Sequence, residues 1–333
     1  MLWNYLGKFK TFIGIDVSKD TLAVSVYESG EFNTKEFAYN KQDITKELIK
    51  PFIDKKDSTI FLMEATGVYH TKLAYQLHKE GFTVSAINPL IIKSYSNSKL
   101  RRVKTDSSDS KLIAQYAYKN YDELPLFRIK SKEQKDIEDI AKAIDDINLA
   151  NTALNNQIKA LKSQAYYSSD VVKFKQELLD KNNKIIEKLK KLLNKKLKEN
   201  FSKEYNLLNK IPGVGVMVSS IVIAIFNDFK EFDSAKRVCA FIGIAPSPYE
   251  SGSSVKRRGR ISKKGSPIAR KVLYMATLSA IRHNKIIKEF YERLLQNGKT
   301  KMTAIVACMN KLMKIIFAVV KYKREFCENY VRV

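Results

Sequence analysis

The apolar residues of this 333-residue chain change period at about residue 131, and that change governs what it can fold into. Before it, FIGIDVS, TLAVSVYE and EFNTKEFAY read as three short strands across 11–38, with ESGE as the turn between the second and third. A helical stretch is expected around 42–54, then a buried strand in STIFLME and a helix in YHTKLAYQLHKEG that ends at Gly81. FTVSAI reads as another strand, and Asn88-Pro89 opens the next helix. Strands that alternate with helices imply a mostly parallel central sheet, fed here by an antiparallel meander of the first three strands.

From about 131, Ile137, Ile140, Ile144, Ile147, Leu154, Ile158 and Leu161 recur at intervals of three and four, with Asn151 on the same seam. This is a heptad pattern with one polar interruption able to fix register. A break at YYSSD, 166–170, leads to a second, lysine-rich helix that runs to about 200. A hairpin within the chain, a dimerising coil and a plain helical linker all satisfy the pattern. After 201 comes Ile211-Pro212-Gly213-Val214-Gly215 between two helical stretches. Gly213 and Gly215 permit a tight turn and a close backbone approach, either to present amides to a DNA phosphate or to pack a helical corner. PIARKVLYMATLSAIRH and TKMTAIVACMNKLMKIIFAVVKYK are amphipathic helices that close this region. The expected division is 1–127, 128–200 and 201–333.

Hydrophobic residues make up 44% of the chain, which excludes a disordered polyelectrolyte. Lys and Arg number 60 against 35 Asp and Glu, a formal charge of +25, which points to a polyanionic partner, nucleic acid before membrane surface. Cys239, Cys308 and Cys327 lie far apart, no CxxC pair exists, and His70, His78 and His283 are not near them in sequence, so no zinc site or disulfide framework is expected. Apolar runs such as IVIAIF are short of a membrane span, and MLWNYLGKFK lacks the apolar stretch of a signal peptide. A reducing, cytosolic location is expected.

Four acids stand out. Asp16 ends the first apolar strand and Glu64 ends STIFLME. Parallel sheets build their sites at the carboxyl ends of strands. Asp106 and Asp109 are three apart at the start of a helix and so share one face. A turn-forming role for Asp16 and helix capping by the paired aspartates remain open. Taken together, four convergent carboxylates suit a hard cation, Mg²⁺ or Mn²⁺.

GIDVSKD, MEATGVYH, VKTDSSDSKLIA, IPGVG, FIGIAP, SG and GRISKKG follow one another across nearly the whole chain. In these motifs the chain resembles the insertion-sequence-110 family of transposases, which includes the Piv-type DNA invertases. The resemblance implies an α/β N-terminal domain of RuvC-like, ribonuclease-H type, a helical coiled-coil linker and a mainly α C-terminal transposase domain. It implies a metal-binding, catalytic tetrad of Asp16, Glu64, Asp106 and Asp109, and a nucleophilic serine at Ser251, immediately before Gly252. It also implies target and donor DNA as substrates, a bridge non-coding RNA as guide, and a nucleoid-associated protein of a bacterial or archaeal cytoplasm; the coiled segment offers a dimerisation element for a homodimer or tetramer. Two departures matter. The family commonly has a large basic and an aliphatic residue where Ser107 and Ser108 stand here, and its SGG is SGSS here, so Ser253 and Ser254 compete with Ser251.

SPYESGSSVKRRGRISKKGS, 247–266, reads as a basic loop. Gly252 would let the backbone approach DNA, and Lys256, Arg257, Arg258, Arg260, Lys263 and Lys264 would neutralise phosphates, as would Lys104 ahead of the paired aspartates. A flexible loop whose serines only aid solubility is the plainer reading. A RuvC-like junction nuclease that uses water, and a non-catalytic guide-RNA-binding DNA regulator, are the rival functions.

Overall fold

The computed structural model describes residues 9–65, 67–98, 106–251, 255–262 and 265–328. It divides into two compact units, Met1–Ile129 and Lys130–Val333.

The first unit is built on a sheet that has five strands among the described residues, in the order β3-β2-β1-β4-β5. These are β1 (Thr11–Val17), β2 (Thr21–Glu28), β3 (Glu31–Ala38), β4 (Thr59–Glu64) and β5 (Thr83–Ile87). β1, β2 and β3 form the antiparallel meander, while β4 and β5 run parallel to β1. β1 and β4 are buried almost end to end, as continuous apolar strands in the middle of a covered sheet should be. β3 alternates exposed and half-buried residues and carries charges, which suits an edge. One face packs Ile13, Ile15, Phe61 and Met63 against Leu73, Ala74 and Leu77 of α2 (Tyr69–Lys79). The other packs Phe12, Ile60, Leu62 and Ile87 against Ile92 of α3 (Pro89–Ser98) and Leu112, Ile113 and Ala117 of α4 (Asp106–Asn120).

The helical stretch expected around 42–54 is present as three consecutive pieces of different winding. Lys41–Ile44 is α-helical (α1 in chain order, preceding α2), Thr45–Ile49 a π turn, and Lys50–Ser58 a 3₁₀ stretch. Pro51 lies at the start of the last piece. It has no N–H for the i→i−4 ladder, so a continuous α-helix cannot run through it.

In the second unit, α5 (Lys132–Lys162) and α6 (Ser169–Asn200) form an antiparallel hairpin. Lys196 bonds Asp136 at 2.8 Å near one end, and Lys175 bonds Gln157 at 2.8 Å near the other. One line of the heptad seam is buried inside the chain, while Ile140, Ile147, Leu154 and Leu161 are half-buried. Ile137, Ile144, Asn151 and Ile158 of α5 are buried, seven residues apart, and Leu179, Ile186 and Leu193 of α6 repeat that interval. Asn151 donates to Asn183 at 3.0 Å and accepts from Asn182 at 2.7 Å, so the one polar seam residue reads the facing register.

The base of the hairpin shares one apolar cluster with the C-terminal helices, so residues 130–200 and 201–328 lie in the same compact unit. Around it are α7 (Ser202–Asn209), α8 (Val216–Phe226), α9 (Ala235–Ile242), α10 (Pro267–His283), α11 (Lys285–Gln296) and α12 (Lys301–Lys321). α8 is buried without a break from Val218 to Ala224, as expected of a helix that is apolar all round. α12 is long and apolar enough to cross a membrane, which the short-run argument from sequence overlooked. Its Cys308, Leu312, Met313, Ile316 and Phe317 belong to the core of this unit. The stretch expected to be a basic loop is a two-stranded antiparallel ribbon over most of its length, β6 (Pro246–Ser251) and β7 (Val255–Ile261). Backbone pairing makes the ribbon, so no apolar alternation announces it.

Candidate active site

The acids of the first unit are set by strand register. Thr11 lies opposite Thr59 and Ile15 opposite Met63. One step further, Asp16 is level with Glu64 on the neighbouring parallel strand, at a strand spacing of about 4.8 Å. Alternation sets the direction of both side chains. Phe12 and Gly14 face α4, so Asp16 does too; Ile60 and Leu62 lie on that face, so Glu64 follows them. Both are half-buried at the carboxyl ends of their strands.

α4 runs against β1. Phe12 meets the Tyr118 ring edge-on at 5.3 Å, while Gly14, further along the strand, meets Ala114 and Ser110. The first turn of α4 therefore comes to the carboxyl end of β1, where Asp16 is. Ser110, fully buried, bonds Ser25 of β2 at 2.9 Å and donates to the Ser107 carbonyl at 3.1 Å. This pins the turn that begins at Asp106 and carries half-buried Asp109. The Asp106 side chain and Lys104 lie outside the described residues.

Sequence reasoning missed Gly14 and the Ser25–Ser110 bridge. A Cβ at Gly14 would stand 2.2 Å from the Ala114 nitrogen and 2.4 Å from the Ser110 carbonyl oxygen. The signal was available, because a glycine inside an apolar strand marks a close backbone approach.

The acids brought to this end are oxygen donors, the ligand type a hard cation takes. Among the described residues, no three His, Cys, Asp or Glu side chains stand close enough to hold a metal by themselves.

In the second unit, Ser251 is the last paired residue of β6, opposite Val255. Lys256 lies opposite Glu250, Arg257 opposite Tyr249 and Arg260 opposite Ser247, with a bulge between Ser247 and Tyr249 that takes in the Arg258 region. For Ser251, Lys256, Arg257, Arg258 and Arg260 only the backbone is described. Gly252, Ser253, Ser254, Lys263 and Lys264 lie outside the described residues.

The two glycines of IPGVG part company. Gly213, at φ 96°, packs on α10, where a Cβ would come within 2.6 Å of the Ala280 methyl. Gly215 begins α8 and has open space at its Cβ position. It borders a groove of about 650 Å³ that Lys190 and Lys271 also line.

Two family models match the chain. The "Transposase IS116/IS110/IS902 family" model covers residues 205–292, and a DEDD transposase model of IS110 type covers 13–166. Among curated relatives, a "Pilin gene-inverting protein" of Moraxella lacunata is 29% identical over 95% of this chain and 98% of its own length. The protein of that name from Moraxella bovis is 27% identical over the same shares. A "Transposase for insertion sequence element IS1111A" of Coxiella burnetii is 24% identical over 92% of this chain and 88% of its own.

Proposed function

Since the chain belongs to the IS110 family of transposases and is a DNA transposase or recombinase, we propose that it cuts and rejoins DNA through a phosphoserine formed on Ser251, with a divalent cation held by Asp16, Glu64, Asp106 and Asp109. The observation that carries the reading is the β1–β4 register, which brings Asp16 level with Glu64 at the strand ends beside the start of α4. The sheet order β3-β2-β1-β4-β5 supports a RuvC-like, ribonuclease-H-type domain around those acids.

The DEDD match supports dependence on a divalent metal; Asp16, Glu64, Asp106 and Asp109 would hold Mg²⁺ or Mn²⁺, which would supply polarisation of the phosphate and relief of charge on the attacking and leaving oxygens. The remaining chemistry belongs to the chain. The Ser251 oxygen forms a bond to phosphorus, the bond from phosphorus to a deoxyribose oxygen breaks, and the hydroxyl proton ends on that leaving oxygen. A second DNA hydroxyl reverses the exchange and frees the serine, so the phosphodiester is remade without ATP. Relatives named for inverting a gene and for moving an element both match nearly the full chain. Inversion requires rejoining, and a covalent intermediate supports it by keeping the phosphoester linkage, whereas hydrolysis alone leaves the ends open. Arg257, Arg258, Arg260, Lys256, Lys263, Lys264 and Lys104 would neutralise phosphates, and the Gly215 end of α8 would present amides to one. A charge of +25 supports nucleic acid on a large part of the surface, and we assign target and donor choice to a paired bridge RNA in the bacterial or archaeal cytoplasm.

The test is a denaturing gel of protein incubated with end-labelled DNA and the element's own non-coding RNA. Wild type, Ser253→Ala and Ser254→Ala should carry label on the protein; Ser251→Ala should not. Cleaved DNA without any protein-bound label would assign the reaction to water instead.

A further inference from the structure

The segment that carries Ser251 leaves the helical core once and returns once. α9 ends at Ile242, and Gly243, at φ 81°, turns the chain out. The chain comes back at Gly265, two residues before α10. One side chain grips both crossings. Arg270, within the first turn of α10, donates through Nη1 to the Ile242 carbonyl at 3.0 Å and to the Gly265 carbonyl at 2.9 Å. A second grip comes from α12, where Asn310 donates through Nδ2 to the Ile244 carbonyl at 3.0 Å. The two crossings also touch backbone to backbone, since a Cβ at Gly265 would stand 2.2 Å from the Phe241 carbonyl oxygen. Just outside, the Ser262 N–H donates to the Ala245 carbonyl at 3.3 Å.

Capping of α9 explains the bond to Ile242, because the last carbonyls of a helix lack partners in the ladder. It does not explain why the same guanidinium also holds the returning strand, or why a third helix holds the outgoing one. The ribbon beyond supplies the reason. Among the described residues, β6 and β7 pair only with each other. A two-stranded ribbon by itself is marginally stable. Ser251 stands six residues beyond Ala245, about 20 Å at the rise of a strand, so a tilt of about 6° at the base moves the far end by about 2 Å. A misplacement of about 1 Å can cost on the order of 10²-fold in rate.

We propose that Arg270, assisted by Asn310, is the positioning residue that aims the serine-bearing ribbon at the DNA phosphate. The role rests on Ser251 as nucleophile; the clamp does not. Full-length wild type, Arg270→Ala, Arg270→Lys and Asn310→Ala are compared by amide hydrogen exchange over 244–262, by global melting, and by single-turnover adduct formation on DNA with the guide RNA. In Arg270→Ala, ribbon amides should exchange at least about tenfold faster while those of α8 and α12 are unchanged. Adduct formation should slow by about 10- to 100-fold with DNA affinity held within about twofold. Arg270→Lys should recover part of both effects, and Asn310→Ala should show smaller changes of the same sign.

Unchanged ribbon exchange in Arg270→Ala and Asn310→Ala overturns the clamp. A rate loss that merely tracks the loss of melting temperature overturns the positioning role. If Arg270→Ala does not fold, Arg270→Lys and Asn310→Ala decide by the same criteria. Label that stays on Ser251→Ala protein, or strand exchange by wild type without any adduct, sinks the serine assignment and the aiming role with it, while the exchange data still judge the clamp.

Discussion

Gly14 and Asp16 are two residues apart on β1, and substitutions at them should fail in opposite ways. Gly14→Ala forces a methyl against the backbone of Ala114 and Ser110, so α4 must lift from the sheet. Overpacking of this kind costs about 1–3 kcal/mol. Strand exchange should fall with stability, because the lifted turn carries Asp109; an unchanged denaturation midpoint would show that α4 yields without strain. Asp16→Asn keeps size and shape at a half-buried strand end. Its melting should match wild type while strand exchange drops by about 10²- to 10³-fold, the several kcal/mol that metal assistance supplies. Normal strand exchange by Asp16→Asn at normal stability would remove Asp16 from the chemistry. The acids were legible singly, as polar ends of apolar runs. Gly14 inside the strand marked a close approach, but what it and Ser25 meet was not legible, because those residues lie roughly a hundred positions away and local pattern does not name a partner at that range.

Among the elements, the α5–α6 hairpin shows how a heptad pattern leaves its partner open. The seam, its period and Asn151 were all visible, yet a partner in the same chain and one in another chain leave the same pattern. In this structure Asn151 bonds Asn182 and Asn183 of the same chain. Asn151→Ala removes both bonds and should lower the stability measured by urea unfolding by about 1 kcal/mol; no loss would deny the asparagines a part in register. Nearer the hairpin base, burial pushes the Glu138 carboxyl up, but Lys130 at 2.8 Å and Lys142 at 3.1 Å outweigh it and hold the carboxyl below its ordinary value. A carboxyl depressed in the folded state stabilises above its unfolded pKa, and that stability is lost as pH falls through the folded value. Glu138→Gln should therefore be less stable than wild type at pH 7, and the gap should close as pH drops below the ordinary carboxylate range, about 4. A gap independent of pH would assign the loss to packing.

On the scale of the whole molecule, the acids and the serine belong to different compact units, Met1–Ile129 and Lys130–Val333. Nothing in chain connectivity obliges both to come from one copy. Mixing an Asp16→Ala chain with a Ser251→Ala chain should restore strand exchange that neither performs alone; no recovery would mean that each chain works with its own pair. The charge of +25 should also make DNA affinity fall steeply with salt, linearly on a log–log scale, and a flat profile would deny phosphate contacts their weight. By itself the sequence determined the strand–helix alternation of the first unit, the seam period of the second, the basic charge that points to a polyanion, and the candidate acids, because period, charge and residue type are properties of neighbours along the chain; Ser251 entered only through the family resemblance. Only the tertiary structure decided that Asp16 is level with Glu64, that the seam closes on itself, that Gly213 packs while Gly215 faces open space, that the basic stretch is a ribbon, and that Arg270 holds its base. Register, close approach and shared hydrogen bonds arise between segments distant in sequence, and they exist only once the chain has folded.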